Sequence, residues 1–415
     1  MRLRRVLAML VVGFTLAPNL AKACGAMIFP SDPTRAAHMS KWSIFLGFGH
    51  SRATLVLSTE YQGSGDESSE AAFIVPLATT PELITEAPHG FFEELHQRTA
   101  PFFYISDRSQ DGSSGGGCAN SKSARANSQD LGDGVTEEVE VLKKGETENY
   151  TYVVVGGDSG QSLENWLMTN GYEVSPGFAA LAAPYVENNW SFLAAKVRSN
   201  QVKRELAPLE IQFAAYEVPG TVLPMEIAAE SFYGDQKLGI VLYVASSEGV
   251  GPRNYDAFDI VPDDIIATSP TQSNYSEIFA DALAKHDDGT GTWVLEYRSS
   301  SWNQKSDDDF ENDISETSNK SEEFSFERYS EAHGLNGTQL TRLRTELHRT
   351  QLHDIQLAPR PGKEINLHGR RLRYDGEGQC QIGASVGVFG LSWLLGLLWL
   401  RRRSPSRDSM VFNRK

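Results

Sequence analysis

The residues able to do chemistry in this chain are few and widely spaced. Ser159, inside Gly157-Asp158-Ser159-Gly160, becomes a nucleophile if His38 takes its proton and a buried carboxylate orients the imidazole. Gln161-Ser162 follow where a protease loop carries Gly-Pro. A turn between a strand ending at Val155 and a helix at Leu163 accounts for the same residues more simply. Gly383-Ala384-Ser385-Val386-Gly387 has the Gly-x-Ser-x-Gly spacing, but it lies in a long apolar run with no strand before it, which excludes a nucleophile elbow. Gly383 and Gly387 instead form a small-residue face on which helices approach closely. His89, Glu93 and His96 recur at helical spacing and offer two imidazoles and a carboxylate to a metal. Without His-Glu-x-x-His the reading is a solvated helix face. His348 and His353 share no helical face. The run Asp307-Asp308-Asp309-Phe310-Glu311-Asn312-Asp313 has oxygen ligands but lacks the glycine that turns an EF-hand loop, so it reads as a diffuse attraction for cations. No catalytic, cofactor-binding or metal-binding residue is assigned, and no cofactor is expected.

Composition narrows the function classes. The 415 residues include 38 Lys and Arg against 54 Asp and Glu, a formal charge of −16. No basic stripe is available to neutralise phosphates, and no glycine-rich phosphate loop opens a helix, so nucleic-acid and nucleotide binding lack support. Ten of the 38 basic residues sit at the two ends. Residues 1–23 read as a secretory signal: Arg2, Arg4 and Arg5, an apolar stretch from Val6 to Ala17, and Ala21-Lys22-Ala23 as the cleavage site. Ordinary cleavage before Cys24 is the reading over lipidation, because Lys22 and Ala21 do not suit a lipidation box. Residues 382–400 carry no charge and are followed by Arg401-Arg402-Arg403. As a helix they extend about 28 Å, enough for one membrane crossing, and the arginines place 401–415 in the cytoplasm. The signal carries +4 and the tail +5, which leaves −25 on 24–400.

Between these ends, strand-like runs cover Trp42 to Phe48, Ala53 to Tyr61 and Ala71 to Leu77, with a short helix from Gly90 to Arg98. Residues 106–134 are Gly/Ser-rich and expected to be a mobile loop. Glu138 to Leu142 and Tyr150 to Val155 read as a hairpin. Two helices follow around Leu163–Leu167 and Phe178–Tyr185, then strands at Trp190 to Val197, Leu209 to Phe213 and Leu238 to Val244. Residues 299–323 are acidic and read as a disordered insertion. Leu340, Leu343 and Leu347 recur at helical spacing, and 358–381 reads as a stalk. The expected class is α+β, mainly antiparallel sheet with short helices, forming one exported region at 24–357 below a C-terminal transmembrane helix. Cys118 in its glycine loop gains little from packing, so a Cys24–Cys118 disulfide is expected, leaving Cys380 unpaired.

Cys24-Gly25, Ala72-Phe73-Ile74-Val75-Pro76, Cys118 after its glycines, Asn165-Trp166-Leu167 with Asn170-Gly171-Tyr172, and Thr341-Arg342-Leu343 occur in the order that resembles the bacterial "domain of unknown function 2330" family. Ala26 stands where that family often has a second glycine, and a second cysteine near Cys118 is absent. The resemblance implies an exported bacterial protein, frequently membrane-anchored. It supplies no catalytic residues. The C-terminus resembles bacterial sorting tails built as cysteine, apolar helix and arginine cluster, in which Cys380 would be an anchor or processing position; a permanent single-pass helix is the alternative. Together these readings predict a cell-envelope protein with its ectodomain outside the membrane and its C-terminus in the cytoplasm unless processed. It is expected to act as a binding or structural module towards an extracytoplasmic partner or ligand. An envelope hydrolase is the alternative.

Overall fold

The computed structural model describes residues 26–28, 38–62, 71–107, 139–175, 177–198, 208–214, 218, 220–231, 236–285, 289–303 and 324–374. Within them, largely apolar runs buried on both faces build two large sheets. In the larger, of nine strands, Asp256–Asp259, Thr292–Ser299, Gln339–His348, Lys237–Ser246, His38–Phe48, Arg52–Gln62, Leu209–Ala214 and Leu83–Glu86 lie side by side in that order. Ile365–Asn366 pairs additionally with Thr292–Ser299. The smaller sheet has five strands in the order Ala26–Ile28, Ala72–Leu77, Ser191–Val197, Tyr150–Gly157 and Val139–Glu146.

The two sheets face each other across the central core. Trp42, Ile44, Leu242 and Leu343 of the larger meet Phe73, Val75, Leu193 and Ala195 of the smaller. Helices cover the outer faces. Gly160–Thr169 and Phe178–Glu187 set Leu163, Trp166 and Phe178 against Ile74, Val155 and Phe192 of the smaller sheet. Phe91–Thr99 and Phe326–Ala332 set Phe91, Leu95 and Tyr329 against Phe45, Val241 and Tyr243 of the larger. The order is helix, sheet, sheet, helix, and each sheet buries side chains on both faces.

This corrects the expected fold class. The protein is mixed α/β, mostly strands with short helices, and its sheets are not simply antiparallel. Lys237–Ser246 runs parallel to His38–Phe48 in the middle of the larger sheet. Asp256–Asp259 is parallel to Thr292–Ser299, and Arg370–Tyr374 to Phe103–Asp107. Turn spacing reveals hairpins between neighbours in sequence, whereas parallel pairs join remote segments and leave no local mark. The expected membrane-crossing helix is corrected too: among the described residues no helix is long and apolar enough to cross a membrane. Residues 382–400, where it was expected, lie outside the described residues, as do 1–25, most of 106–134, most of 299–323, and all three cysteines.

Two further segments differ from their sequence pattern. Leu340, Leu343 and Leu347 lie on a strand, Gln339–His348, not a helix. Leu343 and Leu347 face the central core while Leu340 faces the outer aromatic cluster, the two-sided arrangement of a strand. Within the segment read as a stalk, Ile365, Leu367 and Leu372 are buried in the central core.

Candidate functional site

Beyond the aromatic cluster, the outer face of the larger sheet turns basic. Three adjacent strands form one cross-strand row in which Lys41 stands opposite Gly239 and Gly239 opposite Glu346. Residues two apart share a face, so Arg342 and Arg344 lie on the same side as Glu346 while Leu343 and Leu347 point into the core. Gly239, with no side chain at the centre of the row, leaves a depression. It opens into a cavity of about 460 Å³ lined by Lys41, Lys237, Arg342, Arg344 and Glu346. Val241 adds apolar lining, the Ile240 side chain points into the central core, and the helix Phe91–Thr99 contributes His96.

A bulge sets the electrostatics. Pairing between Thr292–Ser299 and Gln339–His348 slips between Leu295 and Tyr297, which makes Glu296 the extra residue. Bulges re-aim a side chain. Here the fully buried Glu296 carboxylate meets Arg342 Nε at 3.0 Å and Arg344 Nη1 at 3.9 Å, and it accepts the hydroxyl of Tyr275. Burial first, then the Glu296 charge, raises the Tyr275 pKa, so that hydroxyl stays a donor.

Arg342 is the least satisfied group. Its side chain is 3% exposed, and its guanidinium carbon lies 5.6 Å from the Tyr243 ring centroid. The contact with Glu296 is an ion pair whose angle leaves Nε without a hydrogen bond, and Nη1 is buried with no partner. An unmet buried donor costs about 1–3 kcal/mol. The other cations are matched or wet. Arg344 lies 3.5 Å from Glu346 and over the Phe279 ring, and Lys41 bonds Glu60 at 2.7 Å. Lys237 is exposed with no ion pair among the described residues. His96, at the rim, is held to a pKa of about 4 by partial burial first and then by the charges of Arg342, Lys41 and Arg344. At neutral pH it therefore adds a hydrogen-bonding ring and no charge. This set can hold an anion; it contains no activated nucleophile.

The sequence candidates lie elsewhere, with one exception. Ser159 is the N-cap of the helix Gly160–Thr169: its hydroxyl accepts from the Ser162 backbone at 3.1 Å, and the Ser162 hydroxyl accepts from the Ser159 backbone. His38 begins a strand of the other sheet, opposite Gln62. His89 precedes the helix Phe91–Thr99 and Glu93 bonds Gln97, so of that trio only His96 reaches the cavity. His348 caps a short 3-10 turn, and His353 Nδ1 contacts Glu226 at 3.4 Å. Cys24, Cys118, Cys380, Gly383, Ser385, Gly387 and the acidic run 307–313 lie outside the described residues. Lys41, Lys237, Arg342 and Arg344 were missed. The signal was the alternation of Arg342, Arg344 and Glu346 with Leu343, Thr345 and Leu347, hidden by the helical spacing of the leucines.

A second polar cluster closes the C-terminal end of the helix Phe326–Ala332. Buried Glu210 accepts from His333 Nε2 at 2.9 Å, from the Tyr329 hydroxyl at 2.9 Å and from Gln212 at 2.6 Å.

Fold and cavity together define a layered, mixed α/β protein with an anion-suited concavity on the outer face of its larger sheet. The chain belongs to the bacterial family described as "Uncharacterized protein conserved in bacteria (DUF2330)", whose model matches residues 18–319. Lys41, His96 and Lys237 fall within that match, and Arg342, Arg344 and Glu346 beyond it. No curated protein matches the sequence. Among solved structures, a mutated baculovirus P35 after caspase cleavage is similar at 11% identity and TM-score 0.27, over 50% of this chain and 66% of that one. P35 in its complex with caspase-8 is similar at 9% identity and TM-score 0.30, over 76% and 96%. Likeness at that level carries no argument about this chain.

Proposed function

We propose that the protein is an exported binding module and that the basic cavity is where it takes an anionic ligand. The observation that carries this reading is Arg342, a buried guanidinium with an unmatched Nη1 beside a cavity lined by Lys41, Lys237 and Arg344, in a chain of formal charge −16. Gathering cations around a concavity costs self-repulsion and does nothing for the solubility of an acidic chain. An acceptor placed there satisfies the donor and matches the charge. Titration calorimetry of the purified protein against a panel of small anions tests the reading. Binding should appear and weaken at least tenfold in Lys237→Glu, whose exposed position leaves the fold intact. Absence of binding, or equal binding in the variant, overturns it, as does a hydrolytic activity that disappears in Ser159→Ala.

Export is supported by the order of Arg2, Arg4 and Arg5, the apolar stretch and Ala21-Lys22-Ala23. In an oxidising compartment Cys24 and Cys118 form a disulfide. Cys380 before Arg401-Arg402-Arg403 supports a sorting-type tail processed at the cysteine. The intact mass of the mature protein checks these features together: a chain starting at Cys24, gaining two hydrogens on reduction, and ending near Cys380.

A further inference from the structure

We infer that the ligand of the cavity is a small organic monocarboxylate, with its carboxylate between Arg342 and Lys237 and its apolar body over Gly239 and Val241. This rests on reading the cavity as the ligand site and adds the class of ligand. The argument begins with charge matching. Lys41 has Glu60 at 2.7 Å, Arg344 has Glu346 at 3.5 Å, and Arg342 has Glu296 at 3.0 Å. Lys237 is the cation left over, and His96 is neutral at pH 7. The surplus is one positive charge, so one negative charge balances it. A dianion would bring a second charge beside Glu346 and Glu296 with nothing to meet it.

Donor geometry points the same way. A carboxylate has two oxygens in one plane, one for the Arg342 guanidinium that lines the cavity and one for the Lys237 ammonium. The remaining lining supplies little for a polar ligand body. Val241 is apolar and Gly239 has no side chain, so the rest of the molecule is held by contact area. At about 460 Å³ the cavity sits in the lower part of the range for small-molecule sites, roughly 300–1,000 Å³.

The probes are benzoate and hexanoate as carboxylates, phenyl phosphate as a dianion of similar body, and inorganic phosphate. Titrations use the full-length protein and two variants, Lys237→Glu and Gly239→Val. The second fills the depression with a residue suited to a strand, and thermal melts of both variants report their folding. The carboxylates should bind with Kd below about 1 mM. Affinity should fall at least tenfold in each folded variant, and phenyl phosphate should bind at least tenfold more weakly than benzoate. If phenyl phosphate or inorganic phosphate binds as tightly as benzoate, the monocarboxylate assignment fails while the anion site stands. Carboxylate binding that survives both substitutions places the ligand elsewhere and overturns the assignment. If none of the probes binds, the assignment and the proposed function fail together.

Discussion

At the scale of single residues, two buried charges set testable behaviour. His333 Nδ1 lies 2.8 Å from the Tyr329 carbonyl and Nε2 lies 2.9 Å from Glu210, two acceptors that favour the protonated ring, in which both nitrogens donate. Burial works against that charge, but the bond to Glu210, its negative charge and the Tyr329 carbonyl outweigh burial and the nearby Arg52. The pKa is raised above the ordinary 6.5. A raised folded-state pKa gives stability that is full below 6.5 and is lost as pH rises through the folded value. The melting temperature of wild type should therefore exceed that of His333→Asn most at pH 6, with the gap narrowing as pH rises. A gap constant from pH 6 to 9 refutes the linkage. Arg342 and Glu296 behave as a unit. Arg342→Met alone leaves the buried Glu296 carboxylate with only the Tyr275 hydroxyl and the more distant Arg344 and should cost about 3 kcal/mol in urea unfolding, whereas Glu296→Met with Arg342→Met should recover part of the loss. If the double variant is no more stable than the single, the two do not act as a pair.

At the scale of elements, Ser159 separates capping from catalysis. Ser159→Ala should lose about 1 kcal/mol of stability, read by denaturant melts, and leave anion binding unchanged. The strands at 52–62, 72–77 and 150–157 were legible because β-branched and aromatic residues cluster there between turn signals. The helix at 160–169 was legible because Leu163, Trp166 and Leu167 share a face before Asn170-Gly171. The candidate site was not. Its cations come from three strands, and a strand's own sequence does not say which strand lies beside it. The bulge at Glu296 is equally silent, because one extra residue in a run buried on both faces changes no pattern. His96 was visible, but only as part of a solvated helix face and not as the rim of a cavity built by other elements.

At the scale of the whole molecule, the four layers are joined through the parallel pair at the centre of the larger sheet, which sets Lys41 opposite Gly239, roughly two hundred residues later in the chain. The aromatic cluster beneath the helices Phe91–Thr99 and Phe326–Ala332 depends on this pairing, since Phe45, Val241 and Tyr243 lie on its two strands. Closing so long a loop must precede the contacts that reward it, and such topologies fold slowly. A fragment ending before residue 236 lacks the strand Lys237–Ser246 and should show no cooperative thermal transition; a sharp one would mean that the first half folds alone. During synthesis, then, the first half of the chain emerges without the partner that completes it. The central pairing of the larger sheet therefore cannot close until more than half of the chain has been made, a delay written into the order of its strands.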